Sequence, residues 1–187
     1  YTKDLKEPEN ITGGYLIELN HEMWDEVSGF KTRQGVAFNV KSPEWCGKDA
    51  MAYISEYYQE FEDAVYAQDA DGNYTGYNAQ TGKYYYEYCD LNSLVQAYLI
   101  QYLSGNSDAF YSSFFFYKDV DGLMYAGPVW DMELTGGGGW SGVITSDNTF
   151  INGRYLVQAL TQIPGFRAAV NNYYHNTFLA QAQALVG

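Results

Sequence analysis

The apolar positions fall into short extended runs and longer helical ones. After a polar opening from Thr2 to Thr12, Gly13-Gly14 leads into Tyr15-Leu16-Ile17-Glu18-Leu19-Asn20, which reads as a strand. Residues 21–34 are polar and irregular. Gly35 to Lys41 reads as a second strand, stopped by Ser42-Pro43. Ala50, Tyr53, Ile54, Tyr57, Phe61, Ala64 and Val65 then recur at three- and four-residue steps, which predicts a helix over 50–67 with Asp49 as its cap. Leu91, Leu94, Val95, Tyr98, Leu99, Tyr102 and Leu103 predict a second helix over 91–104, opened by Asp90 and stopped by Gly105. Ser113 to Lys118, the turn Asp119-Val120-Asp121-Gly122 and Leu123 to Val129 form the clearest hairpin. The pattern is helical again over 153–162 and, after a break at Pro164-Gly165, over 166–184. Neither an internal repeat nor a domain boundary is visible, so one α+β, mostly helical unit with a small ribbon is expected.

Two stretches fit no regular element. Residues 68–89 form a polar, Tyr-rich connection. Its segment Asp69 to Gly76 alternates acidic and amide oxygens like a calcium loop, but Tyr74 stands where such a loop needs glycine and Gln80 where it needs glutamate. It reads as a turn. Gly136 to Gly139 is a run of four glycines with no lysine after it, so it is not a phosphate loop of the strand–loop–helix kind.

Charge narrows the function. Ten Lys plus Arg against 23 Asp plus Glu give a formal charge of −13, which repels phosphate backbones and argues against nucleic-acid binding. No run of apolar residues is long enough to insert into a membrane. Twenty Tyr, 10 Phe and 4 Trp read as core and boundary material, although such rings also suit glycan or peptide contacts. Trp24, Trp45, Trp130 and Trp140 are the candidate platforms, with Trp130 expected beneath the loop that follows it. Cys46 and Cys89 fit either one disulfide or two buried thiols, and with only His21 and His175 beside them no zinc site is expected.

Candidate chemistry lies in residues 105–139. A hairpin brings the residues before its first strand beside those after its second. Asp108 should therefore approach Asp131 and Glu133. Converging carboxylates repel unless they share a proton or a cation, and their oxygens suit a hard divalent ion. A phosphoryl-transfer site needs such an ion and a carboxylate facing the acceptor hydroxyl. The plain alternative is that Asp108 caps a turn while Asp131 and Glu133 are solvated. A glycosidase pair about 5–9 Å apart is a further alternative.

Gly13-Gly14-Tyr15-Leu16-Ile17-Glu18, Phe30-Lys31-Thr32, Asn106-Ser107-Asp108, Ser113 to Asp119 and Gly127-Pro128-Val129-Trp130-Asp131 resemble the CotH spore-coat kinase family in order and spacing. The resemblance implies the C-terminal lobe of an atypical protein-kinase-like fold. It also implies transfer of the ATP γ-phosphate to protein Ser or Thr, with Mg²⁺ or Mn²⁺. It makes Asp108 the catalytic-loop carboxylate, Asn106 the residue that orients that loop, and Asp131 and Glu133 the metal ligands. Ser113 would stand on the cofactor side, where kinases carry a metal-binding Asn. Lys118 and Arg154 are candidate phosphate contacts by proximity in sequence alone, and surface charges on the plainer reading. Glu133 departs from the family's second Asp, and its extra methylene shifts a ligand by about 1.5 Å. Residues 1–187 are expected to be one partial domain whose N-terminal lobe precedes Tyr1, so that this stretch alone binds ATP poorly. A spore-coat, cell-surface or extracellular location and a Ser/Thr-rich protein acceptor are implied. A non-catalytic extracellular module that binds glycan or protein is the competing expectation.

Overall fold

The computed structural model describes residues 9–21, 27–136 and 149–186. Its sheet is built from β1 (Tyr15–Leu19), β2 (Gly29–Lys31), β3 (Ala37–Ser42), β6 (Phe114–Lys118) and β7 (Met124–Ala126), in the order β2-β3-β1-β6-β7. Every neighbouring pair is antiparallel. The small ribbon expected beside the site is therefore the edge of a five-stranded sheet. β1 joins the two halves, pairing Ile17 with Phe116 on one side and with Val40 on the other. A pairing across so long a stretch of chain leaves no local sequence signal, so the pattern shows the ribbon of this mixed α+β fold and not the larger sheet it belongs to.

Helix α1 (Lys48–Tyr66) packs its apolar side on one face of this sheet. Phe38, Tyr58, Phe61 and Phe116, each at most 1% exposed, form the central aromatic cluster. The Phe38 and Tyr58 rings lie 4.3 Å apart, and Tyr58 meets Phe116 edge-on at 5.5 Å. Asp49 does not cap α1: the cap position is Gly47, and Asp49 sits in the first turn, where its charge still suits the helix N-terminus. The helical face also carries a carboxylate inward. Glu62 is 1% exposed, accepting from the Tyr155 hydroxyl at 2.6 Å and from Gln59 Nε2 at 2.8 Å.

The connection after α1 turns at Asp69, whose carboxylate accepts from the Asp71 and Asn73 backbone N–H groups. It then forms the short hairpin β4 (Tyr77–Asn78) and β5 (Lys83–Tyr84). Helix α2 (Leu91–Ser104) follows, capped by Asp90, whose Oδ1 accepts from Ser93 N–H at 2.7 Å. The expected helix over 153–162 is broken. A 3₁₀ turn (Thr149–Gly153) precedes a short α3 (Val157–Leu160), because Leu156 adopts φ +64°. Pro164 opens α4 (Pro164–Tyr173) at its first turn, where its missing N–H costs nothing. A π-turn (Tyr174–Phe178) then leads into α5 (Leu179–Val186). Cys46 and Cys89 are both buried and form no disulfide with each other, and burial pushes the Cys89 thiol well up.

Lys118, at the far end of β6, is 2% exposed instead of being a surface charge. Its ammonium donates to the carbonyls of Thr12 and Gly122 and lies 4.6 Å over the Tyr57 ring. The N-terminal segment is thereby pressed onto the hairpin turn. A Cβ at Gly13 would come within 2.0 Å of Val120 N. Gly13→Ala is expected to cost about 1–3 kcal/mol in urea unfolding. Gly153→Ala, where a Cβ meets nothing within 4 Å, should cost far less.

Candidate functional site

The site grows from the end of α2. Gly105 leaves the helix at φ +64°, a left-handed conformation that glycine adopts without a Cβ penalty. The next residue, Asn106, is 2% exposed. Its Nδ2 donates to Gln101 Oε1 at 2.8 Å and to the Asp131 carbonyl at 3.3 Å, while its Oδ1 accepts from Asp108 N–H at 3.2 Å. One buried amide thus ties the helix end to the backbone of both acidic residues. Two backbone bonds reinforce the tie: Ser107 N–H to Leu134 O at 3.3 Å and Gly136 N–H to Ser104 O at 2.8 Å.

Asn106 bonds the backbone of both Asp108 and Asp131, and the charge of Asp131 reaches the Asp108 carboxyl. The Asp108 carboxyl is pushed up, first by burial and then by the negative charge of Asp131, and is drawn down by His21 and Arg154. The backbone bends sharply here. Asp131, Ser113 and Phe110 have φ of +54°, +52° and +55°. Positive φ in a bulky residue stores local strain, and such strain concentrates at sites where geometry serves chemistry. Phe110 is held in place by stacking on Phe114 at 4.2 Å.

The other residues singled out from sequence separate. Glu133 is exposed on the turn after Asp131 and is not among the charges acting on Asp108. Among the described residues no three His, Cys, Asp or Glu side chains cluster to hold a metal ion. Ser113 lies at the mouth of β6, half-buried. Lys118 is at the opposite end of that strand, with its ammonium committed to carbonyls. Trp130 is not beneath the loop: it is 62% exposed, edge-on to Phe115 at 6.5 Å. Trp24, Trp140 and Gly137 to Gly139 lie outside the described residues.

Sequence reasoning placed Arg154 only by proximity and gave His21 and Tyr111 no role. Arg154 Nη2 donates to the Ser107 carbonyl at 2.8 Å, and its guanidinium lies 5.1 Å from the Tyr111 ring centre. The His21 ring stacks on the same tyrosine at 4.8 Å. Nothing local in the sequence signals this group, because its members come from three distant segments.

The family model described as CotH kinase protein matches residues 5–182. No curated protein and no solved structure matches the chain.

The raised Asp108 carboxyl has a consequence for stability. The folded state holds this proton more readily than the unfolded chain, so stability falls as pH rises from the usual carboxylate range through the folded value. Asp108→Asn should therefore be more stable than the wild type at neutral pH. The advantage should vanish once the pH falls below the usual carboxylate range, as followed by urea unfolding across pH.

Proposed function

Because the chain belongs to the CotH kinase protein family, we propose that it transfers the ATP γ-phosphoryl group to a protein Ser or Thr hydroxyl at the Asp108–Asp131 pair. The observation that carries the reading is the Asn106 bridge, which fixes the backbone of both carboxylates in one buried network.

A divalent cation fits the donor set. Mg²⁺ is commonly held by one or two carboxylates plus substrate phosphates, so a full protein cage is not required. Asp131 is the proposed ligand, and Glu133 could join it by turning inward on its exposed loop. When bound, Mg²⁺ or Mn²⁺ would neutralise charge on the phosphates.

Asp108 faces the acceptor in this reading. As the bond from the γ-phosphorus to the ADP oxygen breaks, the acceptor oxygen bonds to phosphorus and its proton passes to the Asp108 carboxylate. A carboxyl pushed up by burial and by Asp131 accepts that proton more readily than an ordinary aspartate. Asn106 keeps the Asp108 backbone in register with Asp131. Ser113 is the proposed second ligand or phosphate contact. The fold is read as kinase-like, and the family points to the spore coat or cell surface. Among the described residues no helix is long and apolar enough to cross a membrane.

A second reading is a non-catalytic binding module. The observation favouring it is the exposed, ring-packed trio of Tyr77 and Tyr84 on the β4–β5 hairpin and Tyr86 on the 3₁₀ turn after it (Tyr85–Glu87), a surface suited to a glycan or protein.

Labelled ATP with Mg²⁺ or Mn²⁺ separates the two, applied to the longest natural form of the chain. Phosphate incorporation is expected into the protein itself or a Ser/Thr-rich acceptor. Asp131→Asn and Asp108→Asn should each lower it by about a hundredfold or more. A folded protein that incorporates no phosphate with either metal would point to the binding module.

A further inference from the structure

Arg154 brings a guanidinium to the Asp108 loop. Among the described residues the ion pairs are Arg33 with Asp63 and Lys41 with Glu18, and Lys118 is spent on carbonyls. Arg154 is half-buried, its charge reaches Asp108, and yet it closes no ion pair with that carboxylate. A guanidinium carries five N–H donors in a planar fork. Its one side-chain hydrogen bond among the described residues goes to the Ser107 carbonyl. The remaining donors are available to an anion.

The backbone that carries Arg154 is firmly held. Tyr155, next in sequence, sends its hydroxyl to the buried Glu62 carboxylate, with the Tyr58 hydroxyl 3.2 Å away. Leu156 donates its N–H to the Tyr66 hydroxyl at 3.0 Å. Three side chains of α1 thus anchor the segment, and stacking on Tyr111 restrains the guanidinium beside the Asp108 loop. A pre-positioned fork loses little entropy on binding a phosphate.

The charge balance calls for such a group. Two aspartates beside a polyphosphate repel it, and a cation fixed before the ligand arrives offsets both. We propose that Arg154, held over Tyr111 and tethered to the Ser107 carbonyl, is the protein's phosphate-contacting cation at the Asp108–Asp131 site. The assignment rests on the phosphoryl-transfer reading for its ligand. It goes beyond that reading in naming which residue meets the phosphate.

The chain has three arginines, Arg33, Arg154 and Arg167, so their Nε–Hε signals can be resolved by NMR and assigned with Arg154→Lys. ATP with Mg²⁺ is titrated into the protein, with adenosine in parallel. The Arg154 signal should move saturably with ATP and not with adenosine, while Arg33 and Arg167 stay still. Arg154→Lys keeps the charge but loses the fork, and should weaken ATP binding about tenfold. An Arg154 signal unmoved at millimolar ATP overturns the assignment. If phosphotransfer from ATP is nevertheless present, this inference fails alone and the kinase reading stands. If Arg154 moves with ATP and no phosphate is transferred to any hydroxyl, the contact stands and the kinase reading fails.

Discussion

Asn106 is the joint on which the proposed site depends. It is buried where α2 ends, and its amide meets Gln101, the backbone N–H of Asp108 and the carbonyl of Asp131. A buried amide left without partners costs about 1–3 kcal/mol, so this network forms as a whole or not at all. The consequence is geometric. Two loops that flank the β6–β7 hairpin are fixed to the same helix terminus, and two acidic side chains are held near one another despite their repulsion. The strained backbone at Asp131 and Ser113 persists because α2, the sheet and this amide together over-determine it.

The second support comes from α1. Its inner face provides the aromatic cluster, but its buried polar atoms reach toward the site. Glu62 and Tyr66 hold Tyr155 and Leu156, and Arg154 projects from that anchored segment to the Asp108 loop. Packing energy stored in the core is in this way converted into the placement of one cation and two carboxylates. The site carries a cost in stability, since burial and Asp131 both oppose ionisation of Asp108.

Much of this was legible in the residues. The Asp90 cap of α2, its Gly105 stop and the Leu94, Val95, Tyr98 and Leu99 part of its stripe follow from local chemistry and agree with the structure, while Leu103 of that stripe is exposed. The hairpin places the backbones of Asp108 and Asp131 where one amide, Asn106, bonds both. What escaped was non-local. β1 pairs with β6 across a hundred residues, so the sheet could not be inferred from the ribbon. Lys118 reads as a surface charge because its partner, the Thr12 carbonyl, is remote in sequence, and the buried Glu62 escaped notice because Tyr155 is equally remote. Trp130 was expected under the loop, whereas it stands exposed with only its edge toward Phe115. Leu156 broke a helical pattern through a backbone turn stabilised by Tyr66, which no periodicity encodes.

The central claim is that Asp108 and Asp131 form one phosphoryl-transfer site. Its most direct test is a crystal structure with Mn²⁺ and a non-hydrolysable ATP analogue, read by anomalous scattering. The account predicts a manganese peak at ligand distance from Asp131, the γ-phosphate between that ion and Arg154, and Asp108 facing the open side of the phosphate. A nucleotide bound elsewhere, or Asp108 and Asp131 turned apart with no metal between the protein and the phosphates, would contradict it.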